Sequence, residues 1–234
     1  MINYNLSLID WVGNGIVMNM AKLVHDAIID AALELLNEGG LEYVTTRRLA
    51  TRLGVESASL YWHIKNKAEL FQKMSAEILK RHHKDLVPTP SEDWKEWLIA
   101  NFRSLRSVLL THRDGAKLHA GSMPAGDTID RHLEKLNFLV QVGFQEKDAM
   151  LALFCMGQYT VGCVLEEQSL LRSKVESKMK SNVKINVKSN KTNRKNASPK
   201  KMMKQAGLEF VINPEESFEF GLRLLVNGFG EKLS

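Results

Sequence analysis

Apolar positions recur at three-to-four spacing along most of this 234-residue chain, the period of helices that bury one face. Ile28, Ala31, Ala32, Leu35 and Leu36 form such a stripe, which predicts a helix from about 21 to 38 ended by Gly39-Gly40. Leu49, Ala50 and Leu53 predict a second helix, capped by Thr45 or Thr46. Gly54 allows a sharp turn into a short third helix carrying Leu60 and Tyr61. Asn66 followed by Glu69 reads as a capping box that opens a fourth. Its stripe is Leu70, Phe71, Met74, Ile78 and Leu79, and it should end near 83–86.

Pro88-Thr89-Pro90 breaks the chain, and Ser91 is expected to start a helix bearing Trp94, Trp97, Leu98, Leu105 and Leu109. A loop at 113–115 leads to a short helix closing at 121–124, and helices over 127–142 and 147–171 follow. The second of these is apolar nearly all round, with Gly157 and Gly162 permitting close approach, so it must be covered on more than one side. A last helix, 214–232, shows Phe218, Leu222, Leu225 and Phe229. The pattern is all-α.

Composition alters this picture at one segment. The net charge is +5, but residues 172–204 hold twelve Lys or Arg against the single acid Glu176. Without them the remainder is acidic, so overall charge says nothing about nucleic acid. Residues 173–205 are rich in Lys, Asn and Ser, cannot offset their ordering entropy by burial, and are expected to form a mobile loop. Cys155 and Cys163 would stand about 12 Å apart on one helix, too far to bridge, as suits reduced thiols in the cytoplasm. No stretch reaches the roughly 20 consecutive apolar residues of a membrane span. Residues 1–19 lack a basic start and are expected to lie outside the fold.

The stretch that carries chemistry is TTRRLATRLGVESASLYWHIKNKAEL, Thr45 to Leu70. Two short helices about a glycine corner make a helix-turn-helix, whose second helix lies in the DNA major groove. Ser57, Ala58 and Ser59 are small enough to approach base edges. Tyr61, Trp62 and His63 follow, and Arg47, Arg48, Arg52, Lys65 and Lys67 flank them for phosphate or guanine contact. The plainer alternative packs Tyr61 and Trp62 into the corner and leaves the arginines as a solvated face.

At these residues the chain resembles the DNA-binding head of the TetR family, and within it the tetracycline repressors. LYWHIKNK is a strong local match, and the likeness continues through RHH at 81–83, LLTHRDGAKLHAGSMP at 109–124 and YTVGCVLEEQ at 159–168. The resemblance implies a head over 20–66 and a ligand-binding, dimerising core over 67–234. It implies contact with double-stranded operator DNA by Thr46, Arg47, Ser57, Ala58, Ser59, Tyr61, Trp62, His63 and Lys67. It further implies a homodimer joined through a four-helix interface.

The same resemblance assigns an effector site. His119 matches the histidine that binds the divalent metal chelated by the drug, and Glu166 the acid that reaches that metal through water from the partner subunit. His83 and Asn101 match groups that hold the drug's first ring, and Ser122 a hydroxyl on a metal-bound water. A histidine, a remote carboxylate and waters suit a Mg²⁺ that arrives with a chelating ligand. The chain departs from the repressors at Leu105 (usually Phe), Lys135 (Gln), Met123 (Arg) and Gln158 (His). The expected function is a repressor released from a palindromic operator by tetracycline–Mg²⁺. The alternative within the family is another planar or chelating effector. A metal hydrolase built on His82, His83, His112, His119 and Glu166 is disfavoured, because adjacent histidines on a helix point about 100° apart and no HExxH pattern occurs.

Overall fold

The computed structural model describes residues 25–83, 87–122, 127–182 and 213–233. The expectations for 1–24, for Met123 and for 183–205 lie outside these. Every regular element among the described residues is helical. Helix α1 covers 25–39, and a 3-10 turn, Leu41–Tyr43, leads to α2 (Thr46–Leu53) and α3 (Ser57–Leu60). Then come α4 (Lys67–His82), α5 (Trp94–Leu110), α6 (Gly115–His119), α7 (Asp127–Val142), α8 (Glu146–Asn182) and α9 (Pro214–Gly230).

The caps explain most boundaries. Thr45 accepts from the Arg48 amide at 3.3 Å to start α2, and Asn66 accepts from the Glu69 amide at 2.9 Å to start α4. The return half of that box lands one residue early: Glu69 Oε2 accepts from the Lys65 amide at 2.7 Å. Helix α5 begins later than the serine suggested. The Glu92 carboxylate takes the Thr89 amide at 3.1 Å and closes a turn over 89–92, so Asp93 becomes the cap, accepting from Lys95 and Glu96.

The largest correction is α8. Expected to end at 171 and give way to a mobile loop, it runs on to Asn182. Extending an existing helix needs no new nucleus, and the SKVESKMK run is made largely of good helix formers. Over Glu146–Ser173 this helix is also long and apolar enough, by length and composition, to cross a membrane, which the count of consecutive apolar residues did not register. In the protomer it packs against α5, α6, α7 and α9 instead.

Two cores result. The first gathers Ile29, Leu36, Val44, Leu49, Leu60, Ile64, Leu70, Met74 and Ile78 from α1–α4, with Val108 and Leu118 reaching in. The second is built on Trp97, Leu98, Phe102, Leu139, Met156, Phe218 and Leu222 from α5, α7, α8 and α9. Helix α4 belongs to the first core by its apolar stripe and touches α5 and α6 with the rest. It is the mechanical link between them.

Helices α8 and α9 are joined closely. Tyr159 donates its hydroxyl toward the Ser217 and Phe218 carbonyls at 3.1 and 3.0 Å and stacks on Phe218. Gly221 is required there, since a Cβ would run into the tyrosine hydroxyl. On their far side the same helices expose Leu151, Phe154, Phe220 and Leu224. Thus α9 turns Phe218, Leu222 and Val226 inward, with Leu225 and Phe229 partly buried, and a separate stripe outward.

Candidate functional site: a DNA-reading head and a buried polar cluster

In the head, Gly54 takes φ 67°, a left-handed conformation that costs glycine little, and turns the chain between α2 and α3. Leu60 and Ile64 are buried. They hold a one-turn helix whose Ser57, Ala58 and Ser59 all face solvent. Tyr61 is 57% and Trp62 88% exposed, so neither ring packs the corner, and the plainer alternative fails for both. His63, Lys65 and Lys67 are exposed as well.

The basic flank is smaller than the sequence suggested. Arg52 is committed within the head, 2.8 Å from Glu34 and 2.6 Å from Glu38. Arg48 lies flat over the Tyr43 ring, 3.8 Å from its centroid. Arg47 remains outward and exposed.

The predicted effector residues form two polar groups at the meeting of α4, α5, α6 and α7. At one end His83, the C-cap of α4, places Nδ1 2.9 Å from Ser104 Oγ. Burial pushes the His83 imidazole down to about 4, with the Lys135 cation adding to the fall, Asn101 opposing it, and Arg131 and His119 contributing further. Asn101 is buried, and its Oδ1 accepts from Lys135 Nζ at 2.6 Å. Leu105 is buried in the second core. At the other end His119 Nδ1 lies 3.1 Å from Ser75 Oγ and 3.3 Å from Ser122 Oγ. Burial lowers the His119 imidazole as well, with His132 adding to the effect. Both histidines are therefore neutral at neutral pH, and the serine contacts of His119 both use Nδ1, so its Nε2 can face a ligand.

Glu166 is not part of this cluster within the protomer; it is exposed on the outer face of α8. Among the described residues no three His, Cys, Asp or Glu side chains gather to hold a metal unaided.

Sequence reasoning missed Ser75, a polar residue set on the buried stripe of α4 beside Met74 and Ile78. It puts the linking helix in direct contact with His119. The misfit of a serine on an apolar stripe was the available signal. Two supports were missed as well. Asp114, with φ 56°, is buried and accepts from the Leu41 amide at 3.0 Å and from Arg172 at 2.6 Å, joining head, α6 and α8. Gln168 donates to the Leu109 and His112 carbonyls at 3.1 and 3.0 Å, and thereby positions the start of α6.

A helix-turn-helix head, joined by a single helix to a helical core that carries a cluster of buried polar side chains, defines a ligand-responsive DNA-binding regulator. Comparison with known proteins names the family. Residues 28–74 match the family described as bacterial regulatory proteins, tetR family, and residues 87–233 the tetracyclin repressor-like C-terminal domain. The chain is 37% identical over 209 residues to the tetracycline repressor protein class C of Escherichia coli, spanning 89% of this chain and 91% of that one. Its fold matches TetR from Acinetobacter baumannii AYE with TM-score 0.67 at 34% identity, covering 90% of this chain and 98% of that one. It also matches TetR class A in complex with 5a,6-anhydrotetracycline and magnesium, with TM-score 0.65 at 35% identity, covering 88% and 96%. The chain belongs to the TetR family. It is a DNA-binding transcriptional repressor, not an enzyme.

Proposed function

We propose that two copies of this chain hold a palindromic operator and release it when a tetracycline chelated to Mg²⁺ enters the cavity of each. The observation that carries the reading is the hydrogen bond from Ser75 on α4 to His119 on α6. A ligand that engages the other nitrogen of His119 pulls on the ring that Ser75 holds, and so acts on the helix that carries the head. A ligand that prefers the shifted arrangement must weaken DNA binding by the same factor by which DNA weakens ligand binding.

In this proposal residues 20–66 form the head and 67–234 the core. Thr46, Arg47, Ser57, Ala58, Ser59, Tyr61, Trp62, His63 and Lys67 contact the duplex, the two heads entering successive major grooves. The apolar faces of α8 and α9, with Phe154 63% and Phe220 69% exposed, support a dimer in which each face covers the other. The repressor works in the cytoplasm.

The donor set fits a metal carried in by the ligand. His119 offers a neutral imidazole nitrogen, and Ser122 a hydroxyl beside it. The exposed Glu166 is available to the opposite copy, and from there would act through water. Bound with the effector, Mg²⁺ supplies a positive bridge between an oxygen-rich ligand and these groups. His83, Asn101 and Lys135 receive the first ring, and Leu105 lines the apolar wall.

The experiment is an inverted-repeat duplex from the gene's own promoter region, fluorescently labelled, bound by the protein and titrated with tetracycline in Mg²⁺ or in a chelator. Release only with the metal supports the proposal. Retention at saturating drug removes tetracycline as the inducer. The second reading, another planar or chelating compound, is favoured by one observation: Lys135 and Leu105 both face inward, so the cavity wall differs from that of the repressors it resembles.

A further inference from the structure

Lys135 changes what the first-ring end of the cavity can recognise. A lysine ammonium only donates hydrogen bonds, so the Asn101 atom 2.6 Å from it is the amide oxygen. With that oxygen held, Asn101 has its NH₂ group left to offer. Lys135 is itself 9% exposed and Asn101 3%, so the pair is a built feature of the interior. His83 is beside them and neutral, and Lys135 and Arg131 are cations that act on its ring. A ligand atom that reaches the Asn101 amide therefore meets its NH₂ donor beside the Lys135 ammonium.

The geometry points to Lys135 as a specificity-determining residue that selects effectors bearing a deprotonated oxygen, an acidic enol or a carboxylate, at the end that docks beside Asn101. A glutamine at this place would offer a neutral amide able to donate or accept, and would take either form of a ligand. Lysine takes the anion, because a charge-assisted hydrogen bond is roughly twice as strong as a neutral one. It also holds Asn101 in a single orientation, so a ligand presenting a donor there loses its acceptor. The inference rests on reading this end of the cavity as the effector's docking end, and the test separates the two.

Salicylate and salicylamide are matched planar probes, one anionic and one neutral. Each is titrated into the full-length wild type, Lys135→Gln and Lys135→Arg, with binding read by tryptophan fluorescence and thermal shift, and with circular dichroism reporting the fold. Lys135→Met replaces the glutamine variant if that variant loses helical signal. The wild type should prefer salicylate by about tenfold or more, the glutamine variant should lose that preference, and arginine should keep most of it. No anion preference in the wild type, or one that survives in the glutamine variant, overturns the inference. A parallel tetracycline–Mg²⁺ arm distinguishes the outcomes. Salicylate preference without tetracycline binding retains the anion-docking role of Lys135 and rejects tetracycline as the effector.

Discussion

Acidification should weaken this protein through His83. In the folded state burial and the neighbouring Lys135 cation hold the imidazole at about 4, against an ordinary 6.5. A histidine whose folded value is depressed binds its proton better when unfolded. Its contribution is intact above about pH 6.5 and is lost as pH falls from there toward 4. The full shift corresponds to about 3 kcal/mol, and about 2 kcal/mol of it is gone by pH 5. The perturbation is His83→Asn, which leaves a polar group beside Ser104 but does not titrate in this range. Urea unfolding of both proteins at pH 8 and pH 5 gives a double difference. His119 and His112, also lowered by burial, are common to both and largely cancel. Protomer concentration is held constant, because dimer stability depends on it. The wild type should lose about 2 kcal/mol more than the variant between the two pH values. Equal losses, or a His83 titration near 6.5 followed by NMR, would refute the reasoning.

Three further outcomes follow from named contacts. Trp62→Ala should weaken operator binding about tenfold to a hundredfold in a gel-shift titration while moving thermal stability little, since the ring is 88% exposed. Phe220→Glu should convert the dimer to a monomer in analytical ultracentrifugation, because it sets like charges on a surface offered to a second copy. Asp114→Asn keeps a residue type tolerated at φ 56° but discharges the acceptor of Leu41 and Arg172; chemical denaturation should show a loss of about 1.5–3 kcal/mol.

The helices of this chain were largely readable because their apolar stripes are clean. Leu49 and Ala50, then Leu70, Met74 and Ile78, then Trp97, Leu98 and Leu105 all turned inward as their spacing required. Boundaries fixed by side-chain competition were harder. Ser91 and Asp93 are both good caps, and only the turn that Glu92 closes decides between them. The end of α8 was misread because a polar, basic run can continue a helix already nucleated upstream. In the cavity, the family pattern supplied His83, Asn101 and His119. Their partners Ser75 and Ser104 depend on which helices meet, which no local pattern encodes. The inward course of Lys135 is of the same kind. Lysine usually reaches solvent, and its turn toward Asn101 depends on α7 lying beside α5.

The four-residue α3 has a consequence for fidelity. A single turn cannot persist in water alone, so its shape is borrowed from Leu60 and Ile64, anchored beneath it. Discrimination among base sequences is then only as sharp as the rigidity of that small foundation. Warming, or a lesion far beneath the surface, should blur the choice of site before it abolishes general adhesion to duplexes, leaving a protein that still clings to DNA but no longer knows where.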